Sequence, residues 1–259
     1  MNVKNILLVI AMQAEADPIL EALGINEAGT PLEPPLPPIS YTTNFKGLNI
    51  NLVVNGQDPV YKLDSFGSDA ATLSTYLGIK AFSPDLVMST GVAGGFKSKA
   101  KIGDVYLSAD SVCYLDRRVS ITSPNYQDYA IGFYPVVDAS QMASALGLKT
   151  GIVVTSGSFE NSLLDDRQIR NLDGSVVEME CAAVAKMTML LQKQFMAAKS
   201  IVDFDDAIGF ASQFDNNFKI ATTSLATQLV RIFGYLTTHP LGEVKPQAIS
   251  ASGGVTLPR

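Results

Sequence analysis

Histidine and cysteine are scarce in this chain of 259 residues, and their scarcity excludes several kinds of site. The only histidine is His239, which leaves no Ser-His-Asp triad, no Cys-His pair and no multi-histidine metal site. Cys113 and Cys181 lie in apolar segments without CxxC spacing, so neither a disulfide framework nor a zinc site is indicated. If the protein is an enzyme, carboxylates must carry its proton chemistry, and we expect no metal and no cofactor.

Blocks of positive charge and long apolar runs are also missing. The formal net charge is −6, with acids and bases mixed along the chain, so the sequence shows no footprint for nucleic acid or an anionic membrane. The apolar run from Ile6 to Met12 is far shorter than a membrane span, and acidic residues follow it at once. We therefore expect a cytoplasmic protein that binds a small molecule, with neither nucleic acid nor a membrane as a partner.

The chain does have high apolar content and an alternation of strand and helix patterns. Hydrophobic residues make up 47% of it and charged residues 17%, enough to bury a large core. Continuous apolar runs, such as residues 6–10, are typical of strands buried on both faces, and segments with helical spacing follow most of them. The pattern predicts an α/β fold with a central mixed, mostly parallel sheet and helices on both faces.

Some of the predicted boundaries bear directly on function. We predict a helix over residues 63–77, a strand over 85–89 that ends in a glycine loop at 90–95, and a last long helix over 217–236. The tail after His239 has three prolines and no aromatic residue. We expect one domain over residues 1–238 and a C-terminal extension over 239–259 that is mobile or packed on a partner.

Four short segments follow predicted strands, where ligands of open α/β sheets bind. They carry glycines or carboxylates: AMQAE ending at Glu15, TGVAGG at 90–95, VVEMECAA with Glu178 and Glu180, and IVDFDD with Asp203. Each has a purely structural alternative, because acids favour the first turn of a helix, aspartate caps helices and glycines make tight turns. No single segment is specific by itself.

Taken in order, the segments AMQAEA, TGVAGGF, GDVYLSADSV, VVEMECAAVA and IVDFDD resemble the nucleoside phosphorylase/nucleosidase superfamily. The resemblance is closest to 5′-methylthioadenosine/S-adenosylhomocysteine nucleosidases, including the plant-type branch, and runs from about Ile6 to Leu236. Its most specific element is EMECAA. It implies a three-layer αβα sandwich of the phosphorylase/hydrolase type, and a homodimer with residues around 115–134 near the interface. The implied reaction, part of methionine salvage, is hydrolysis of the N-glycosidic bond of either nucleoside to release adenine.

The resemblance also implies roles for individual residues. Asp203 would be the general acid that protonates purine N7, and Glu15 would orient or deprotonate the attacking water. Glu180 would accept hydrogen bonds from the ribose hydroxyls, with Met179 packing beside it and Glu178 as a secondary ribose candidate. Asp203 must then hold a proton near neutral pH, so its pKa must lie well above the usual value of about 4, as burial would cause.

The remaining candidates belong to the nucleoside pocket. By resemblance they are Ala93 and Gly94 through their backbone, Phe159 as a stacking ring, and Val92, Val202 and Lys199. Lys199 agrees with the plant-type branch. Val92 and Val202 depart from the family, which often has Ser or Cys at the first position and Ser or Thr at the second. The segment 156–161 is one residue shorter than the family's purine-contacting loop.

Three functions stay open from the sequence. Hydrolysis is favoured over phosphorolysis, because no arginine precedes Arg117 to pair with a buried phosphate and Glu15 would repel it. A non-catalytic relative that binds purine nucleosides is an alternative, motivated by Val92 and Val202. A hydrolase for a different purine nucleoside is another.

Overall fold

The computed structural model describes residues 2–117, 119, 124–205 and 210–244, except for the side chains of 124, 127, 210 and 211. In those ranges the strands are β1 (Asn5–Ile10), β2 (Thr30–Pro31), β3 (Ile39–Phe45), β4 (Leu48–Val54), β5 (Leu86–Gly95), β6 (Val105–Tyr114), β7 (Tyr134–Pro135), β8 (Lys149–Thr155), β9 (Gly174–Glu178) and β10 (Gln194–Phe204). The helices are α1 (Gln13–Ala22), α2 (Ser68–Phe82), α3 (Pro124–Ile131), α4 (Ser140–Leu146), α5 (Leu163–Asn171), α6 (Cys181–Leu190) and α7 (Phe210–Leu236).

All of these strands belong to one mixed sheet. The order is β10-β6-β8-β9-β5-β1-β4-β3-β2, with β7 on β6, and β10 also pairs with β5. Parallel ladders join β1 to β4 and β5, β10 to β5, and β8 to β6 and β9. Antiparallel ladders are more prominent than the sequence predicted, because the return of β10 along β6 and the short strands β2 and β7 leave no clear sequence pattern.

Residues of β1 alternate between two apolar clusters that contain different helices. Ile6, Leu8 and Ile10 of β1 pack into one apolar cluster with residues of α1, α4 and α7. The intervening Leu7 and Val9 pack into a second cluster with residues of α2 and α6. Successive side chains of a strand point to opposite faces, so the continuous apolar run of β1 contributes to both clusters.

The glycine run 90–95 is strand rather than loop, which corrects the prediction. β5 continues to Gly95 because β10 pairs with it as far as Phe204, and β9 reaches it at Gly94. A central strand whose backbone groups are paired by its neighbours stays extended whatever its local propensity. The consequence is that Val92, Ala93 and Gly94 sit in a rigid part of the sheet.

Two helix predictions also need correction, and one helix and one short strand were not predicted. α2 begins at Ser68, well after the predicted start at residue 63, because residues 56–65 form a loop closed by the Ser65 amide donating to the Gly56 carbonyl. α7 begins at Phe210 rather than at 217. α3 and the strand β7 lie in a segment whose sequence shows no periodic pattern.

The first part of the predicted C-terminal extension packs on the domain. Leu241 is 3% exposed in the apolar cluster below α7, and Val244 forms a bridge with Val137. The Asp138 amide donates to the Glu243 carbonyl at 3.3 Å. Packing therefore continues past residue 238, while the prediction for 245–259 lies outside the described residues. No helix in the described ranges combines the length and apolar composition needed to cross a bilayer.

Candidate active site

A cavity of about 260 Å³ opens where the carboxyl ends of β1, β5, β9 and β10 meet. Strands β1, β5 and β10 are parallel neighbours that end at the same edge of the sheet. Strand β9 reaches this edge where Val177 pairs with Gly94, so segments far apart in sequence converge there. Ten of the predicted site residues line it: Glu15, Val92, Ala93, Gly94, Phe159, Glu178, Met179, Glu180, Val202 and Asp203. Lys199 does not line the cavity, which corrects its assignment to the nucleoside pocket.

Glu15 acts on its own helix and faces the cavity at the same time. One carboxylate oxygen, Oε2, accepts from the Met12 amide at 3.1 Å, which caps the start of α1. The other, Oε1, accepts from the Val92 amide of β5 at 2.7 Å. Burial raises the pKa of Glu15, against the opposing effect of these amides and Lys199. The same carboxylate therefore caps the start of α1 and faces the cavity, so the structural and the functional explanation both apply to it.

Gly91 makes the close approach of Glu15 possible. Its φ is +154°, and a Cβ there would lie 2.7 Å from Glu15 Oε1. A side chain would therefore push the carboxylate away from the Val92 amide. Glycine is needed at position 91 because the Glu15 carboxylate lies directly against its backbone.

A β-bulge in β10 directs Val202 and Asp203 into the same cavity. Ile201 pairs with Ala93 and Asp203 pairs with Gly94, so Val202 is the extra residue of the strand. In a regular strand two successive side chains would point to opposite faces, and a bulge changes that direction. The bulge is the local feature that aims the Asp203 carboxyl at the cavity.

The surroundings of Asp203 are apolar. Val92 and Val202 cluster with Ala221 of α7 and with the rings of Phe214 and Phe218. Asp203 is 3% exposed, and burial raises the pKa of its carboxyl to about 6. The carboxyl can therefore hold a proton close to neutral pH, as the sequence analysis required.

Glu178 is held by a dense set of polar partners. Its oxygens accept from the Thr155 hydroxyl at 2.5 Å and from the amides of Glu180 and Cys181 at 2.9–3.0 Å. Its Oε2 also lies 2.8 Å from Lys199 Nζ in a fully buried ion pair. Burial alone would lower the pKa of Lys199, but the Glu178 and Glu180 carboxylates outweigh it and raise that pKa. These contacts give Glu178 and Lys199 a positioning role at the turn from β9 into α6, and the ribose contact of Glu178 stays a prediction.

Glu180 presents its carboxylate to the cavity from the first turn of α6. Its Oε1 accepts from the Gly67 amide at 2.8 Å, at the start of α2. Burial, and then the nearby Glu178 carboxylate, raise the pKa of Glu180. Met179 lines the cavity beside it. Of the two acids in VVEMECAA, one therefore secures the turn and the other faces the ligand space.

Aromatic rings form the outer wall. Phe159 is 48% exposed and meets Phe214 edge to face, with ring centroids 5.7 Å apart. Its loop is anchored by Asp116, which accepts from the Gly157 amide at 2.7 Å. An apolar slot with aromatic rings at its mouth and carboxyls at its base suits a flat, hydrogen-bonding ligand such as a purine.

Sequence reasoning missed Phe66, Phe214 and Asp205, which also line the cavity. Phe66 was placed inside a helix, and Phe214 was placed before the predicted start of the last one. Asp205 was considered only as a helix cap. Its signal was the spacing Asp-x-Asp at a strand end, which puts both carboxyls on one face.

Carboxylates gathered at the strand ends around a slot lined by apolar residues and aromatic rings define an α/β protein built to hold a nucleoside. Residues 5–233 match the model of the phosphorylase superfamily, so the chain belongs to that superfamily. It is 33% identical over 245 residues to the 5′-methylthioadenosine nucleosidase of Arabidopsis thaliana, covering 93% of this chain and 91% of that protein. It is 31% identical to the 5′-methylthioadenosine/S-adenosylhomocysteine nucleosidase of the same plant, covering 93% and 95%.

The solved structures agree with this placement. The apo structure of the Arabidopsis thaliana 5′-methylthioadenosine nucleosidase matches with a TM-score of 0.87 and 32% identity, covering 93% of this chain and 98% of that one. The similarity extends over nearly the whole of both chains. The resemblance stated from the sequence motifs is confirmed.

Proposed function

We propose that this protein hydrolyses the N-glycosidic bond of 5′-methylthioadenosine, S-adenosylhomocysteine or both, releasing adenine. The observation that carries the proposal is the convergence of Glu15, Glu180 and Asp203 on one cavity, each in a different environment. The relatives named above supply the substrate class. We propose methionine salvage, which the sequence resemblance implies, as the process that this reaction serves.

Asp203 is the general acid of the proposed reaction. Cleavage of the bond between ribose and a purine nitrogen passes through a transition state with oxocarbenium character, and the purine leaves more easily when it is protonated. A carboxyl whose pKa burial raises to about 6 can donate that proton to N7 near neutral pH. After transfer, the carboxylate must be reprotonated before the next turnover.

Glu15 and Glu180 act on the sugar side. Glu15 is fixed through both oxygens by backbone amides, so it can orient a water molecule, or take its proton, with little loss of conformational freedom. Glu180 accepts only one hydrogen bond among the described contacts, which leaves Oε2 for a ribose hydroxyl. Burial raises the pKa of Glu180 to about 7, and in its ionised form the carboxylate would stabilise the developing positive charge on the ring.

Phosphorolysis is disfavoured by the charges around the cavity. Its described lining includes five carboxyl groups and neither lysine nor arginine. A phosphate dianion would be buried there without a cationic partner, which is costly. The nucleophile that fits this lining is water.

The test is release of free adenine from both nucleosides, with and without inorganic phosphate, by wild type and Asp203→Asn. We expect release that does not depend on phosphate and that falls about 10²–10⁴-fold in the variant. Glu160→Gln, which removes an exposed carboxylate outside the cavity, is the control and should leave the rate unchanged. Release that requires phosphate would overturn the hydrolytic mechanism.

A non-catalytic nucleoside-binding protein is the second candidate. Val202 carries no hydroxyl that could hydrogen-bond to Asp203, and within the described part of the chain no other group does so. Among the described residues, the contacts that orient this acid are therefore packing contacts. Tight binding of methylthioadenosine without any release of adenine would support this candidate, or a hydrolase for a different purine nucleoside if another purine is released.

We further propose a cytoplasmic homodimer with a three-layer αβα fold. Apolar side chains are more than half exposed on the loop before α2, on α3 and on α6, among them Tyr61, Phe66, Tyr129 and Leu190. Lys186 of α6 lies 5.4 Å from the Tyr129 ring centroid, so α3 and α6 adjoin. A second copy would cover this surface, which includes part of the segment 115–134 and reaches the cavity through Phe66. Sedimentation of a fully active monomer at micromolar concentration would count against it.

A further inference from the structure

The cavity contains a second aspartate beside the proposed acid, and the mechanism above does not use it. Asp205 lines the cavity two residues after Asp203. Its backbone amide donates to the Gly95 carbonyl at 2.9 Å, which extends the pairing of β10 with β5 by one step. Residues i and i+2 of a strand point to the same face, so the two carboxyls lie side by side.

Gly94 shows how closely these carboxyls approach each other. A Cβ on this glycine would lie 2.9 Å from Asp203 Oδ1 and closer still to Asp205 Oδ1. Both oxygens therefore face one point above the backbone of β5, at the apolar end of the cavity. The absence of a side chain at Gly94 lets both carboxyls approach the backbone of β5 at this point.

Asn161 fixes the orientation of Asp205. Its side-chain Nδ2 donates to Asp205 Oδ2 at 3.2 Å. The carboxylate is therefore held with Oδ2 toward the loop before α5 and Oδ1 toward Gly94 and the cavity. Asp203 and Asp205 thus present two neighbouring oxygens in a defined order.

The edge of a purine that carries N7 matches this pair. In adenine, N7 accepts and the neighbouring 6-amino group donates, whereas in a 6-oxopurine both N7 and O6 accept. A protonated carboxyl beside an ionised one is complementary to adenine, because one donates to N7 and the other accepts from the amino group. Against a 6-oxopurine, the ionised oxygen would face another acceptor and repel it.

We propose that Asp205, oriented by Asn161, selects purines with a 6-amino group by accepting a hydrogen bond from it next to the N7 contact of Asp203. The inference rests on the proposed function, since it concerns the same site. It makes Asp205 a specificity-determining residue. Sites built to hydrogen-bond a substrate group reject analogues that lack it by several orders of magnitude.

The experiment compares 5′-methylthioadenosine with its 6-oxo counterpart, 5′-methylthioinosine, in wild type and Asp205→Asn. We expect wild type to favour the amino substrate by roughly 10²–10⁴-fold in kcat/KM. Asn161 holds the acceptor oxygen of the substituted amide, so its NH₂ group would replace Oδ1 facing the purine. The ratio should therefore fall by about 100-fold or invert in favour of the 6-oxo nucleoside.

Two further variants make the result specific. Asn161→Ala keeps the Asp205 carboxylate but removes the hydrogen bond that orients it. This variant should lower the ratio of kcat/KM values by about 10-fold. Glu160→Gln removes a nearby exposed carboxylate outside the cavity and should leave the ratio of kcat/KM values unchanged. A ratio within about threefold of wild type in Asp205→Asn, with the variant folded by thermal unfolding, overturns the inference.

Equilibrium binding separates this inference from the proposed function. Calorimetry with adenine and hypoxanthine needs no turnover, and wild type should prefer adenine while Asp205→Asn should not. If neither nucleoside is cleaved but this preference is present and is lost in the variant, the hydrolytic function fails and the inference stands. If nucleosides are cleaved but the preference does not depend on Asp205, the function stands and the inference fails.

Discussion

At the scale of single residues, four buried carboxyls of the cavity differ in what surrounds them. Glu178 is enclosed by amides, a hydroxyl and the ammonium of Lys199, while Asp203 lies beside apolar side chains and the Asp205 carboxyl. Glu15 and Glu180 lie between these extremes, with backbone amides opposing burial. Environments that separate the proton affinities of neighbouring acids also separate their chemical roles.

The pH dependence of the reaction should report Asp203. The acid must be protonated to act, so kcat/KM should decline as the pH rises above about 6, the value to which burial raises its pKa. Burial also raises the pKa of Glu15 and that of Glu180, which face the same cavity, so the profile gives apparent values for the group. A pH–rate profile of wild type that stays flat from about pH 5 to about pH 9 would argue against a carboxyl acid.

The stability of Asp203→Asn should exceed that of wild type at alkaline pH. The pKa of Asp203 is raised from 3.8 when unfolded to about 6 when folded, so the native state binds the proton more tightly. Stability is then greatest below the unfolded value and is lost as the pH rises through the folded one. We expect the variant to gain about 1–3 kcal/mol in urea unfolding at pH 8, and nothing at pH 4. A loss at pH 8 would contradict this account of the site.

At the scale of elements, the turn from β9 into α6 is secured by one side chain. Glu178 receives the Thr155 hydroxyl from β8, the first amides of α6 and the Lys199 ammonium from β10. Thr155 in turn accepts from the Ala182 amide at 2.8 Å. Three strands and a helix are therefore fixed around the residue that precedes Met179 and Glu180, which gives the ribose side of the cavity a rigid base.

Glu178→Gln should destabilise the protein by about 3–5 kcal/mol, because it leaves the buried Lys199 charge without its partner. Lys199→Met should cost less, since Glu178 keeps its amide and hydroxyl donors. The double variant should be more stable than Glu178→Gln alone. Urea unfolding of the three variants measures this, and additive losses would show that the pair is not coupled.

Gly91→Ala tests the contact between β5 and Glu15. The new Cβ would lie 2.7 Å from Oε1 and displace the carboxylate from the Val92 amide. We expect kcat for adenine release to fall about 10–100-fold with the protein still folded, because a misplacement near 1 Å is enough for that loss. Gly234→Ala in α7, where nothing lies within 4 Å, is the matched control and should keep full activity. Equal activity of both variants would remove Glu15 from the mechanism.

At the scale of the whole molecule, the cavity exists only because one sheet gathers distant segments. β1, β5, β9 and β10 are separated by most of the chain, yet their carboxyl ends meet. The domain also includes residues beyond the last long helix, since Leu241 completes the cluster shared by α1, α4 and α7. Loss of that closing contact would loosen the layer that carries Phe214.

Leu241→Ala should therefore lower the free energy of unfolding by about 2–4 kcal/mol, the usual effect of deleting a buried leucine side chain. Leu163→Ala, at a position that is 79% exposed, should change it by less than about 0.5 kcal/mol. Chemical denaturation of both variants is the measurement. A Leu241→Ala protein as stable as wild type would place the end of the domain near residue 238 after all.

The class of fold, the superfamily and many of the residues that line the cavity could be predicted from the amino-acid sequence. Apolar runs, helical spacing and acids placed after strands are local properties, and the motif EMECAA is local as well. They predicted Glu15, Glu180 and Asp203 together at one edge of a sheet, where the structure brings them.

What each carboxyl can do depends on contacts that form only when the chain is folded. The glycine run became a strand because β10 pairs with it, and the bulge at Val202 set the direction of Asp203. Lys199 proved to pair with Glu178 rather than reach the ligand space, and Asp205 joined the cavity. Proton affinity and hydrogen-bonding capacity depend on solvent exclusion and on partners from other strands, and neither is a property of the local sequence.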